Sequence, residues 1–582
     1  MERRGTLVQK KFREFFFPTL IMAVTMNVSE FVDCIIVSNL LGSDALAAVG
    51  LSLPIIWIYN AIFVLLGVGG STVYSVLLGK RSRDEADKVF TVSMAGLAAA
   101  GVAIAIAGLA FLDPLAERLA GGTGLAPMLK DYLRALVAGA PVLIVVAGFT
   151  FFVRSEGHPR LASVVLVTAN LVNLVMDFVY ILVFHTGISG ASVATVTGYA
   201  VGLVIVLVKF CGKELDLRLV RLRPADLGRL GGICFSGLSS TLANGLVAVK
   251  VLFFNVLIAG LAGASGVAVF SVLVSMISFI AIFICGSAQT MLPIVATLYG
   301  ERDFAGIGYT LRRAFGVMLA MVALFVVLFE LFPGEMLAIF GLTDPELVAL
   351  GSTAIRIFSL SMPMLGFNML VMYYCQTVGM KRFSIALSVC EGLAFPMCAA
   401  WALSPSLGLA GVWWAFPVAE LASLVLVLAY GAWAAKRSGG KKRGVFMLER
   451  EDEVVPCLDV TIDSDIRQAV SLSESIIDFS AANGLDGKRA NVLGLLAEEM
   501  AVFTIEFNKE HGIKSCIDIL TKIYPDEVRM CFRSDGQPLD PTCLREDDGD
   551  KYDITNIRMI GLLAKNVDFQ RVLGMNDCVI TL

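Results

Sequence analysis

Charge is scarce in this chain. Asp, Glu, Lys and Arg make up 16% of its 582 residues against 57% hydrophobic, and the mean hydropathy is +0.79. A polypeptide this apolar is excluded from the soluble globular class, and its length leaves room for more than one domain. Histidine is rarer still, with three residues, and the twelve cysteines include no CxxC pair and no His partner at metal-ligand spacing. Neither a zinc site nor a disulfide framework is expected. Half of the cysteines stand in apolar runs, where a thiol packs as a small hydrophobe. The basic start MERRGTLVQKKFREFFFP is followed by no short apolar core ending in a small-residue cleavage site, so the first apolar run reads as a retained span.

What is abundant is apolar run. A membrane helix needs about 20 such residues, and runs of that kind recur at 15–37, 46–78, 89–112, 131–153, 161–184, 188–209, 232–260, 266–298, 310–332, 352–375, 383–403 and 408–434. The expectation is twelve spans. Lys and Arg gather before the first span and in GKRSRDEADK, RSEGHPR, the 209–229 connection, GERDFAGIGYTLRR, GMKR and KRSGGKKR. These lie on one side if the spans alternate, and the opposite connections are nearly bare apart from Arg118, Lys130 and Arg134. Both termini are therefore expected in the cytoplasm, with the protein in the inner (plasma) membrane.

Charge also divides the chain lengthwise. Residues 446–582 hold 26 Asp+Glu against 14 Lys+Arg, a balance of −12, while the preceding 445 residues hold 24 against 32, a balance of +8. A second repetition lies within the apolar part. GSDALAAVGLSLPI from Gly42 resembles GASGVAVFSVLVSM from Gly263, GKRSRDEA from Gly79 resembles GERDFAGI from Gly300, and GISGASVAT from Gly187 resembles GLAGVWWAF from Gly408. These pairs, and Gly190 with Gly411, share one separation of 221 residues. A constant offset implies two homologous six-helix halves, and because six is even they should be related by a pseudo-two-fold along the membrane normal with a cavity between them. The expected boundaries are 1–222 and 223–435 for the two lobes, 436–445 for a basic linker and 446–582 for a cytoplasmic domain.

Polar residues inside the spans are the candidates for function. In ANLVNLVMDFVYIL, Asn170, Asn173 and Asp177 fall at i, i+3 and i+7 and share one helix face. An ionised carboxylate at mid-membrane costs about 2.5–3.5 kcal/mol on insertion scales, so it should face a cavity or a partner. Asp33, in another helix, supplies a second acid, and two nearby carboxylates relieve their repulsion by sharing a proton or holding a cation. Glu30 lies one turn before Asp33. In the second half the buried charges are Lys250, Glu391 and Glu420; by the 221-residue offset Glu391 occupies the place of Asn170 and is a candidate cavity residue, while Lys250 could neutralise one of the acids structurally. Met26, Met276, Met362, Met364, Met369 and Met372 could line an adaptable cavity or serve as ordinary packing.

Pro18 fifteen residues before Asp33, the LGSDALAAVGL stretch, GKRSRDEA, RSEGHP, and NLVMD followed by GISGASVAT resemble, in order, the multidrug and toxic compound extrusion (MATE) transporters over residues 12–435. The resemblance implies an all-α polytopic membrane protein with twelve transmembrane helices in two pseudo-symmetric six-helix bundles. In the archaeal and DNA-damage-inducible branch of that family it implies a cation site in the N-terminal lobe. The positions that match are Asp33, Asn173, Asp177 and Thr195, with Pro18 matching a proline whose bend is linked to the site. The expected function is secondary antiport: protons or sodium drive export of amphipathic, cationic compounds by alternating access. No catalytic residue, metal, organic cofactor or nucleic-acid partner is expected. Two alternatives are a lipid-linked oligosaccharide flippase of the wider superfamily and a membrane-tethered signalling module.

After residue 445 the pattern turns to short strands and amphipathic helices. Strand DVTI, two helices, paired strands SCIDILTKIY and VRMCFRSD, a further helix at 555–566 and VLGMNDCVITL resemble, in that order, an α/β-sandwich ATP-binding domain of the histidine-kinase-like (GHKL) superfamily, most like the anti-sigma-factor kinases. Glu499 matches the expected base, but Phe503 stands at the magnesium-binding Asn position. Asp535 and Gly536 lie in the next box, where Ser534 and Pro538 replace an Asp and a Gly. The glycine-rich lid is reduced to Gly561. The resemblance therefore implies a degenerate nucleotide site and a regulatory or interaction domain that binds a partner protein, with neither kinase activity nor ATP as a cofactor expected.

Overall fold

The computed structural model describes residues 5–212, 214–339, 342, 344–439, 442–449, 455–541 and 560–582. Ten helices among the described residues are long and apolar enough to cross a membrane, and two bent helix pairs bring the number to twelve. They are α1 (Thr6–Leu41), α2 (Ser43–Gly79), α3 (Arg83–Ala110), α4 (Ala126–Ala138 with Ala140–Ser155, bent by 52°), α5 (Pro159–Val183) and α6 (Ile188–Cys211), then α7 (Pro224–Gly263), α8 (Ser265–Gly300), α9 (Phe304–Leu331), α10 (Pro345–Ser359 with Met362–Thr377, bent by 44°), α11 (Lys381–Leu407) and α12 (Leu409–Arg437). Each expected apolar run coincides with one of them.

The glycines of the repeat have a structural reason. Gly42 and Gly263 join the first two helices of each half at φ 90° and 60°, and Gly187 and Gly408 join the last two at φ 64° and 59°. Side chains with a Cβ avoid that region, so the tight reversal between antiparallel spans keeps glycine. Gly79 and Gly300 serve differently. A Cβ on Gly79 would lie 3.0 Å from the Gly300 Cα, and one on Gly300 would lie 2.8 Å from the Gly79 Cα. The two halves thus touch each other through the same position of the repeat.

Among the described residues three spans contain a π-turn: Val64–Val68 in α2, Val179–Val183 in α5 and Cys390–Ala394 in α11. Such turns displace the side chains around them and recur at functional sites. In the second half, Phe254, Phe270, Trp413 and Phe416 stack within a core that also takes in Met276 and Met362, which makes those two methionines packing residues.

The chain separates into two compact units. One holds most of the helical bundle, Glu14–Glu301 and Leu311–Trp433; the other gathers the described residues of Met1–Arg13, Arg302–Thr310 and Ala434–Leu582. Within the latter, strands β1 (Cys457–Asp463), β2 (Cys516–Ile523), β3 (Val528–Ser534), β4 (Asn566–Val572) and β5 (Met575–Thr581) form an antiparallel sheet in the order β1-β2-β3-β5-β4. Helices α13 (Ile466–Ala482) and α14 (Gly487–Glu510) share one apolar core with it, including Val460, Leu472, Leu496, Ile519 and Ile580. Asp465 and Asp486 cap the two helices by accepting from Arg467 N–H at 3.0 Å and Arg489 N–H at 2.7 Å. Strand β4 was not expected as a separate element; Leu573 and Gly574, both at positive φ, turn it tightly into β5. Of the helix expected at 555–566, residues 560–563 are helical and 555–559 lie outside the described residues.

Candidate functional site

Pro159 starts α5, where its missing N–H costs nothing, and the helix then presents Asn170, Asn173 and Asp177 on one face. All three are buried, at 8%, 3% and 1% exposure. Gly198 of α6 lets the two helices approach closely here, since a Cβ at that position would lie 3.0 Å from the Asn173 backbone nitrogen. Thr195, one turn earlier on α6, then meets Asn173. The amide orientation that satisfies both of its ends lets the Asn173 carbonyl accept from Thr195 N–H at 3.1 Å and Thr195 Oγ1 at 3.3 Å, while its NH2 donates to Asp33 Oδ2 at 3.0 Å and Oδ1 at 3.3 Å.

Asp33 arrives on α1, which continues as a helix through Pro18. The Pro18 carbonyl accepts from Ser163 Oγ on α5 at 2.9 Å, a contact that ties the two helices one end away from the acids. The Asp33 and Asp177 carboxyls lie close enough to act on each other electrostatically. Both Asp177 oxygens and the Asn170 Nδ2 are buried and find no partnering donor or acceptor among the described residues. Two acids, an amide and a hydroxyl thus converge from three helices in the first half. Glu30 stands exposed beside them. Tyr132 of α4 and Tyr199 of α6 lie within electrostatic reach of Asp33. Neither tyrosine was anticipated, although Tyr199 follows Thr195 by one helical turn and so shares its face.

The second half is arranged otherwise. Glu420 of α12 accepts from Asn368 Nδ2 of α10 at 2.9 Å, and the same NH2 donates to the Glu420 carbonyl at 3.0 Å. Glu391 sits in the π-turn of α11 with Oε2 buried and without a donor among the described residues, and both Glu420 and Lys250 act on it electrostatically. The RSEGHP turn is tied into the bundle by its charged side chains. Glu156 pairs with Arg83 at 3.0 Å and accepts from Tyr74 Oη. Arg154, 3% exposed, donates to the Gln289 carbonyl of α8 at 2.8 Å and so bridges the two halves.

In the C-terminal domain Phe503 packs with Phe507 and Leu539. Asn508 donates to Thr504 O at 2.9 Å and Ser515 Oγ at 3.1 Å and accepts from Gln537 N–H at 3.0 Å, lying so close to Gly536 that any Cβ there would collide with it. Asp535 accepts from Cys516 N–H at 3.1 Å and from Lys10. Burial and the carboxylates of Asp535 and Asp463 push the Cys516 thiol up. Glu499 is partly buried on α14.

A repeat-built helical bundle with ionisable groups buried among its spans is an architecture that membrane transporters use. The MatE family model matches residues 18–179 and 240–400, one match in each half, and the chain belongs to that family; it is a membrane transporter, not an enzyme. It is 23% identical over 425 residues to the multidrug export protein MepA of Staphylococcus haemolyticus, covering 72% of this chain and 92% of the relative, and 22% identical over 430 residues to MepA of Staphylococcus aureus strain MSSA476, covering 72% and 93%. Among solved structures, an outward-facing multidrug resistance MATE transporter superposes with a TM-score of 0.68 at 24% identity, covering 76% of this chain and all of the other. A Pyrococcus furiosus transporter of the same superfamily, described as having a binding pocket of reverse polarity, gives 0.67 at 24% with the same coverage.

Proposed function

We propose that the protein is a multidrug exporter that couples inward flow of protons or sodium to outward movement of amphipathic, cationic compounds, with both termini in the cytoplasm. One observation carries this reading: Asp33, Asn173, Asp177 and Thr195 meet in the first half, and Asp177 is buried with no donor among the described residues. A shared proton or a hard cation supplies what the side chains there lack, and oxygen ligands of this kind suit either. Loading the site removes a buried charge, and an ion that binds one access state better than the other shifts the population between them. The MepA relatives support the export of drugs.

Reconstituted protein should acidify or alkalinise vesicles on addition of a transported cation, or require sodium to move it. Asp33→Asn and Asp177→Asn should each abolish that response while leaving the protein folded. Unchanged transport in both variants would sink the first-half mechanism.

The C-terminal domain is read as a regulatory, non-catalytic relative of the GHKL fold. Phe503, which stands where the resemblance expects a magnesium-binding Asn, packs with Leu539, and Asn508 is committed to the backbone around Gly536. Titration of the full-length protein with magnesium-ATP should give no saturable binding.

A further inference from the structure

Three segments far apart in sequence close into one compact unit: the start of α1, the start of α9 and the C-terminal domain. The sheet and its two helices build their core from their own residues, so the two helix starts are additions to a self-contained fold. Arg533 of β3 pairs with Asp303 at 2.5 Å, with side chains 3% and 1% exposed, and Asp577 of β5 stands 4.0 Å from the same guanidinium. Asp303 also caps α9 by accepting from Gly306 N–H at 2.8 Å. Lys522 of β2 donates to the Arg302 carbonyl at 3.1 Å. From α1, Lys10 pairs with Asp535, whose carboxylate is 2% exposed, and Lys11 reaches the Gly574 carbonyl at 3.5 Å. Leu7, Val8 and Phe12 are buried on the same stripe as Lys11.

A dry ion pair persists only where geometry and further hydrogen bonds compensate its desolvation, and removing one partner strands the other. Asp303–Arg533 is therefore unlike an exposed pair, whose contribution is small. The equivalent turn of the first half makes the contrast plain. Arg81 and Arg302, 221 residues apart, both adopt φ 58°, yet the first-half turn is held by Arg83 with Glu156 and with the Asp216 carbonyl. The second-half turn is held by the C-terminal domain instead.

We propose that the C-terminal domain is a built-in brake. It clamps the first turns of α1, a helix of the first half that also carries Asp33, to the first turns of α9, a helix of the second half. Alternating access moves the halves against each other, so a clamp that grips one helix end from each slows the exchange of states until it is released. The proposal rests on the transporter reading above and names how the domain regulates it.

The test uses the full-length protein in vesicles. Asp303→Asn removes the ion pair yet keeps a good helix cap, Lys10→Ala removes the second contact, and Asp303→Glu keeps the charge. Amide hydrogen exchange in residues 6–13 and 304–310 should quicken by about tenfold or more in the first two variants and stay near the wild-type rate in the third. Substrate turnover should rise about threefold in the Asp303→Asn, Lys10→Ala double variant, as expected where a conformational step limits the cycle. Unchanged exchange would refute the clamp. Faster exchange with unchanged or lower turnover would refute the brake and leave a purely structural tie. Wild-type protein that moves no cation under any ion gradient would count against the transporter reading, and the exchange data would then decide the clamp by themselves.

Discussion

Asp177 and Glu420 are both carboxylates buried in apolar helices, one in each half, and their surroundings could hardly differ more. Glu420 is met by the amide of Asn368, which donates to its carboxylate and its carbonyl together, and Lys250 lies within electrostatic reach of its neighbour Glu391. Asp177 faces another acid, and its oxygens have no donor among the described residues. A polar group that the protein itself satisfies belongs to the scaffold; one that it leaves unsatisfied implies something mobile that comes and goes. The homologous halves thus differ in how their acids are met: Asp177 of the first has no donor among the described residues, whereas Glu420 of the second is held by Asn368 and only its neighbour Glu391 keeps an oxygen without one.

The largest effect is expected from neutralising the unsatisfied acid of the first half. Asp177→Asn should lower ion-driven transport about 100-fold, the upper range of ordinary coupling energies, as read from initial rates in vesicles with an imposed ion gradient. If coupling survives, the unsatisfied acid is not the loading site. Asn173→Ala keeps both acids but removes the group that orients Asp33, and a loss of about tenfold is expected in the same measurement, equivalent to about 1.4 kcal/mol. For the second half the readout is stability. Asn368→Leu strands the Glu420 carboxylate and should cost about 2 kcal/mol, seen as a lower unfolding temperature in detergent, whereas Glu420→Gln should fall less because the amide pair can re-form. The smallest effect belongs to Glu391→Gln, for which transport should stay within about twofold of the wild type. A large loss there would make the second half an ion site as well.

Much of this could be read before any coordinates. The spans followed from apolar length, the halves from a fixed glycine spacing, the shared face of Asn170, Asn173 and Asp177 from their helical spacing, and the grouping of Asp33 and Thr195 with them from the resemblance to MATE transporters. The glycine spacing was legible because reversals at positive φ and backbone contact both forbid a side chain. Other features left no such trace. The pairing of Glu420 with Asn368 spans 52 residues and joins two helices whose register no local pattern records. Lys10 and Asp535 lie 525 positions apart, and a lysine in a basic leader reads locally as a membrane-surface charge. Arg154 likewise leaves no local trace of its role, since its acceptor is a backbone carbonyl and carries no residue-specific signal. The π-turns next to Asp177 and around Glu391 are also silent in sequence, because a one-residue slip in hydrogen bonding needs no particular side chain.

Gly79 and Gly300 are the same position of the repeat, and each sits against the other. A contact between equivalent positions lies on the pseudo-two-fold itself. A six-helix ancestor that paired with its own copy about this axis would have met itself at this glycine, and a single substitution there would have altered both surfaces at once. In one continuous chain that constraint is lifted everywhere except where the chain touches its own image. The rest of each half is then free to differ, as Asp177 facing Asp33 in the first and Glu420 held by Asn368 in the second do.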